Sequence, residues 1–160
     1  YVGKVLSQRL GWPFLDLDNL IEALYAEKQG EALGFREIYK RHGAAFFRQL
    51  EEDSLKKALI RGGQVIALGG GTIFASPEIP ALLKDQEVIC LTVEPTLLFQ
   101  RIMKQGIPAF FDTDDPEGSF WSLYRERTPH YQNLAHYTFD NTVKTVEELV
   151  EEVVITLGLI

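Results

Sequence analysis

Apolar residues recur along this chain at two spacings, about 3.6 and 2, and the two alternate from segment to segment. Val2, Val5, Leu6 and Leu10 share one helical face. Gly11 then offers a left-handed helix end, and Pro13 forbids continuation. Residues 14–18 read as a short strand and 19–28 as a helix with Leu20, Ile21, Leu24 and Tyr25 on one side. Residues 30–34 form a connection, 35–41 one or two helical turns stopping near Gly43, and 45–61 a longer helix. Its apolar positions are Phe47, Leu50, Leu55, Ala58 and Leu59.

The run Val65-Ile66-Ala67-Leu68 is continuous, as expected of a strand buried on both faces, and three glycines stop it. Residues 77–84 predict a helix, 88–93 a second buried strand and 96–104 another helix. Residues 107–118 carry Pro108, Pro116 and an acidic cluster, the composition of a mobile loop. Residues 120–127 are helical, 137–140 a short strand and 145–157 a final helix. Thr145 with Glu148 makes a capping box for that helix. Strands alternating with helices imply an α/β fold with a parallel sheet. The pattern also expects a strand ahead of the first helix, so about 10–20 residues bearing a strand and its turn are expected upstream of Tyr1.

Composition narrows the class. At 160 residues and 46% hydrophobic, the chain can bury a core without disulfides, and disorder is excluded. A single cysteine, Cys90, excludes a disulfide framework and multi-cysteine zinc sites. The net charge of -7 argues against a nucleic-acid partner, though not against a small basic pocket. No apolar run reaches membrane-spanning length, so no membrane partner is expected, and the expected location is the cytoplasm. His42, His130 and His136 lack metal-binding spacing and are expected at the surface.

In open parallel sheets, ligands bind beyond the carboxyl ends of the strands, and three features fall there. Asp16-Leu17-Asp18 closes the first strand, and alternation along it puts both carboxylates on one side. One could hold a hydrated Mg²⁺ and the other take a proton or hydrogen bond from a hydroxyl, or Asp18 or Asn19 simply caps the next helix. Gly69-Gly70-Gly71-Thr72 follows a strand, and glycines there allow positive φ and a close approach to backbone N–H groups. Arg48, Arg101 and Arg127 can each clamp an anion. Arg48 also stands three and four residues before Glu51 and Glu52, the spacing of a surface ion pair.

In order and spacing, Gly3-Lys4, Leu10 to Asp18, Ile21-Glu22, Phe47-Arg48 with Glu51, Gly69 to Thr72 and Glu126-Arg127-Thr128-Pro129-His130-Tyr131 resemble the shikimate kinase family. That family is one of the P-loop, nucleoside-monophosphate-kinase-like groups. The resemblance implies a three-layer α/β/α domain over residues 1–160, with a substrate-binding subdomain near 19–61 and a lid near 104–120. It implies transfer of the ATP γ-phosphoryl group to the 3-hydroxyl of shikimate, in aromatic amino acid (chorismate) biosynthesis, by a monomer using ATP and Mg²⁺. By family pattern, Asp16 holds Mg²⁺ through water, and Asp18 binds shikimate hydroxyls beside the attacking oxygen. Arg48 and Arg127 clamp the shikimate carboxylate, Gly69, Gly70 and Gly71 contact its ring, and Arg101 packs on the adenine.

The chain departs from the family pattern in places. The phosphate-binding Gly-x-x-Gly-x-Gly-Lys-[Ser/Thr] is not in these residues and would end just before Tyr1. Ile107 stands where the lid arginine belongs, with Lys104 nearby as a substitute cation. Ala44-Ala45 replaces a common glutamate, and the segment before Phe47 is longer than usual. Two alternatives accompany the main reading: a kinase for a gluconate-like acceptor, and an inactive relative that only binds.

Overall fold

Caps and glycines set the helix boundaries. A computed structural model describes residues 1–108 and 110–159; Ala109, inside the expected lid, and Ile160, inside the expected domain, lie outside them. Two compact units divide the chain: Tyr1–Asp85 together with the end of the chain from Val154, and Gln86–Val153.

In the first unit, α1 (Val2–Leu10) stops at Gly11, whose φ of 66° is left-handed as its sequence position requires. Strand β1 (Phe14–Asp16) passes without a loop into α2 (Leu17–Gln29). The helix thus begins two residues earlier than the apolar pattern predicts. The reason is Asp16, which takes the N-cap position and accepts a hydrogen bond from the Asp18 backbone N–H at 3.0 Å. Asp18 therefore lies in the first turn of a helix and not on a strand, so strand alternation does not relate the two carboxylates.

Helix α3 (Phe35–Leu59) is broken at Gly43, at φ 80° and ψ 177°. α2 packs against it. Leu17, Ile21, Leu24 and Tyr25 from one side and Ile38, Phe47, Leu50, Leu55 and Ala58 from the other are all buried. Burying each large aliphatic side chain contributes about 1.5–3 kcal/mol, so this helix pair carries much of the unit's core. The buried Tyr25 hydroxyl meets His42 Nε2 at 2.8 Å, and the exposed imidazole stacks on Phe46. Strand β2 (Val65–Ala67) pairs in parallel with β1, Leu15 opposite Ile66 and Asp16 opposite Ala67. Asp16 and the glycine run after Ala67 therefore leave the pair at the same end. A 3-10 turn (Thr72–Phe74) and α4 (Ile79–Leu83) follow.

In the second unit, β3 (Ile89–Thr92) and β4 (Tyr137–Asp140) form another parallel pair, Leu91 opposite Phe139. α5 (Pro95–Met103) starts at Glu94, whose carboxylate accepts from the N–H groups of Thr96 and Leu97. α6 (Pro116–Leu134) is longer than the expected 120–127 at both ends, so the expected loop ends before Pro116. Asp115 caps it and Pro129 lies inside it. An interior proline costs a helix about 3 kcal/mol. Leu123, Tyr124, Arg127, Thr128, Tyr131 and Gln132, a single helical face running past Pro129, line one cavity together. α7 (Val146–Leu157) has the expected capping box: Thr145 N–H donates to Glu148 Oε2 at 2.8 Å, and Glu148 N–H to Thr145 Oγ1 at 3.2 Å.

The expectation that the apolar strands are buried on both faces does not hold for the described residues. β2 is half-buried along its length, and Leu91 in β3 is 40% exposed. Among the described residues each sheet has two strands, so each of these strands has one described partner.

Gly43 sits in a region of backbone space open essentially to glycine alone. Gly43→Ala is expected to destabilise the protein by about 1–3 kcal/mol in urea unfolding; an unchanged midpoint would mean that the break is not required.

Candidate active site

The carboxyl ends of β1 and β2 bring together most of the first unit's expected site residues. Asp18, in the first turn of α2, reaches the glycine run: a Cβ built on Gly69 would lie 3.9 Å from Asp18 Oδ1 and 3.5 Å from Thr72 Oγ1. Burial, and then the charges of Asp16, Glu51 and Glu22, push the Asp18 carboxyl above its ordinary 3.8, against a lowering by Arg36. Asp16 uses one oxygen, Oδ1, as the cap of α2.

Arg48 lies over the other end of the glycine run, where a Cβ on Gly71 would stand 3.6 Å from Nη1 and 3.9 Å from Nη2. Its Nη1 donates to Glu51 Oε2 at 2.8 Å. This is the three-residue pair that spacing suggests, but it is not a surface pair, because Glu51 is 5% exposed. The other Glu51 oxygen accepts a hydrogen bond from the buried Thr72 hydroxyl at 2.7 Å. The sequence reading missed this role of Glu51 and Thr72. The signal was present: Phe47, Leu50, Glu51, Ser54, Leu55 and Ala58 recur at core spacing, and all are buried.

Gly71 has φ −88°, and Gly69 is not among the left-handed residues. Their expected conformational role is therefore absent, while the close-approach role stands. Alanine at either position would make only ordinary contacts with Asp18, Thr72 or Arg48 and would fill the space above the loop.

In the second unit, the guanidinium of Arg101 donates to the carbonyls of Asn141 and Thr142 at 3.2 and 3.1 Å. It is thereby tied to the segment after Asp140. Thr142 Oγ1 in turn accepts the Glu94 N–H at 2.9 Å, so the ends of β3 and β4 are joined. Arg127 lines a cavity of about 300 Å³ with Cys90, Thr92, Phe110, Phe120 and Tyr131 among its walls. Burial pushes the Tyr131 phenol up, and the neighbouring Arg127 opposes it. Burial likewise raises the Cys90 thiol. Ile107 is 44% exposed, and the adjoining Phe111 is buried.

In an α/β fold, the carboxylates, arginine and bare glycines at the carboxyl ends of β1 and β2 form a crevice suited to a small polar ligand. Comparison with known proteins then narrows the class: the chain belongs to the shikimate kinase family, whose pattern it matches over residues 1–158. It is 34% identical over 153 residues to the shikimate kinase of Caldanaerobacter subterraneus subsp. tengcongensis, spanning 96% of this chain and 85% of that protein. Among solved structures, it resembles shikimate kinase from Acinetobacter baumannii in complex with shikimate, with TM-score 0.80, 27% identity and coverage of 98% and 85%. The enzyme from Bacteroides thetaiotaomicron gives TM-score 0.79 at 25% identity, covering 98% and 89%. These neighbours have the α/β P-loop kinase fold. The family comprises ATP-dependent kinases that transfer phosphate to shikimate in aromatic amino acid biosynthesis, and this reading stands over a gluconate-like acceptor or an inactive relative. No helix among the described residues is long and apolar enough to cross a membrane.

The raised Asp18 carboxyl has a consequence for stability. The folded protein binds this proton more tightly than the unfolded chain, so an ionised Asp18 opposes folding above 3.8, its ordinary value, and the penalty fades as pH falls through the native value. Unliganded Asp18→Asn is therefore expected to melt higher than wild type at pH 7, with the difference shrinking toward pH 4. A lower melting temperature at pH 7 would contradict this electrostatic account.

Proposed function

We propose that Asp18, Arg48 and the glycine run bind shikimate and place its 3-hydroxyl for attack on the γ-phosphorus of ATP. The observation that carries this is the cluster itself: a carboxylate made more basic by its surroundings and a guanidinium held by a buried partner, at the two ends of one bare glycine loop. Phosphoryl transfer needs mostly positioning and charge neutralisation, since a loose transition state demands little early proton removal. Asp18 accepts the hydrogen bond of the acceptor hydroxyl and takes its proton as the new P–O bond forms and the bond from the γ-phosphorus to the bridging oxygen breaks, releasing ADP. The guanidinium donors of Arg48 not engaged by Glu51 hold the acceptor carboxylate. Gly69, Gly70 and Gly71 let the ring approach.

In the second unit, Arg127 is assigned to the same carboxylate chemistry and Arg101 to the adenine of ATP. Ties from Arg101 to two carbonyls support the latter, because they hold a flat cation beside the segment after Asp140. Asp16 is assigned to Mg²⁺. The donor fits that ion, a hard cation that keeps most of its waters and takes one or two carboxylates. Asp16 Oδ2 is not engaged by the helix cap that occupies Oδ1. When bound, the ion neutralises phosphate charge. The same proposal makes 19–61 the acceptor-binding part, 104–120 the lid, and the protein a cytoplasmic monomer.

A coupled assay on the full encoded protein, with shikimate and gluconate as acceptors, tests the reading. Turnover is expected with shikimate; turnover with gluconate alone would overturn it. Arg48→Ala and Arg127→Ala should each raise KM for shikimate about ten- to a hundredfold, the loss of hydrogen bonds to a charged group, with KM for ATP nearly unchanged. Equal loss of both substrates would refute the assignment. Asp18→Asn should lower kcat by about 10²–10⁴.

A further inference from the structure

Glu51 is a carboxylate with almost no exposure, and a buried charge is tolerated only when it is paired and hydrogen-bonded. Its two oxygens have different partners: the Thr72 hydroxyl on Oε1 at 2.7 Å and Arg48 Nη1 on Oε2 at 2.8 Å. Thr72 is itself only 1% exposed and belongs to the glycine turn by its backbone as well. Its N–H donates to Gly69 O at 3.1 Å, and its own carbonyl accepts from Ala75 N–H at 2.9 Å. One residue thus anchors the glycine loop with its main chain and the arginine's carboxylate partner with its side chain.

We propose that Thr72 is a positioning residue for shikimate recognition: its hydroxyl orients the Glu51 carboxylate, which in turn sets the angle at which Arg48 presents its free donors above Gly71. This rests on the assignment of Arg48 to the acceptor carboxylate. A carboxylate held by one partner alone can rotate about its last torsion, which is broad and poorly restrained. A second hydrogen bond on the opposite oxygen removes that freedom. Arg48, whose side chain is 36% exposed, has its fork tied to Glu51 through Nη1. The donor geometry that meets the substrate is therefore fixed two residues away from it, and it moves with the glycine loop.

The test is steady-state kinetics on the full-length enzyme with Thr72→Val, Thr72→Ser, Arg48→Ala and the Thr72→Val/Arg48→Ala double variant. Thr72→Val keeps the shape and removes the hydroxyl. It should raise KM for shikimate about three- to thirtyfold, with kcat at saturating shikimate and KM for ATP near wild type. Thr72→Ser restores the hydroxyl and should bring KM back to within about threefold of wild type. In the double variant, Thr72→Val should add nothing to the effect of Arg48→Ala, because its influence passes through the arginine.

A wild-type KM in Thr72→Val overturns the proposal, as does a Thr72→Ser variant no better than valine, which would make the residue a packing element. Additive effects in the double variant overturn it as well. If Thr72→Val does not fold by thermal melt, Glu51→Gln serves instead. The amide can still accept from Thr72 but turns an N–H₂ group toward Arg48, and shikimate KM should rise at least tenfold; no rise overturns the relay. An unchanged shikimate KM in Arg48→Ala would instead refute the role of Arg48 itself. A raised KM there beside a normal one in Thr72→Val would refute the relay alone.

Discussion

The hydrogen bond from the Asp18 backbone N–H to the Asp16 carboxylate governs the first unit of this protein. It ends β1 and begins α2 in a single residue, with no loop between them. The apolar face of α2 consequently starts at once, with Leu17 fully buried and Ile21, Leu24 and Tyr25 following at helical spacing. The same abrupt switch lifts Asp18 off the strand and sets it on the first turn, beside the glycine run that leaves β2. A loop of even a few residues at this point would uncouple the helix packing from the placement of the carboxylate. Fold and site thus share one local interaction.

Electrostatics in this cluster work against stability and in favour of chemistry. Asp16, Glu51 and Glu22 all disfavour the ionised form of Asp18, and Arg36 opposes them. A free domain selected for stability alone would not gather four carboxylates at the end of one strand pair. The arrangement suits a site that meets a hydroxyl and cations during its reaction cycle.

Much of this was legible in the primary structure. The helix end at Gly11, the break near Gly43, the capping box at Thr145 and the alternation of strands and helices are local signals with local causes, and all are found. The residues of the family pattern were legible too, because Asp18, Arg48 and the triple glycine stand in fixed order. What misled was inference from local rules to non-local outcomes. Residues 120–127 read as a helix, yet α6 runs from Pro116 to Leu134 with Pro129 inside it. The glycines read as sites of unusual φ, yet Gly71 has an ordinary one, and their small size alone is used. Arg48 and Glu51 read as a surface pair, since spacing alone does not say which side of a helix faces the core.

By itself, then, the sequence determined the periodicities, the caps and the order of the chemical groups along the chain, because backbone preference and capping act over a few residues. It determined the family for the same reason: motifs are strings. Only the tertiary structure decided that Glu51 is buried, that Thr72 is its second partner, and that Asp18 faces Gly69. Those facts depend on which helix face meets which strand end. Hydrogen-bond strength and pKa are set by the neighbours a side chain acquires in space, and in this chain Thr72 stands 21 residues from the carboxylate it holds.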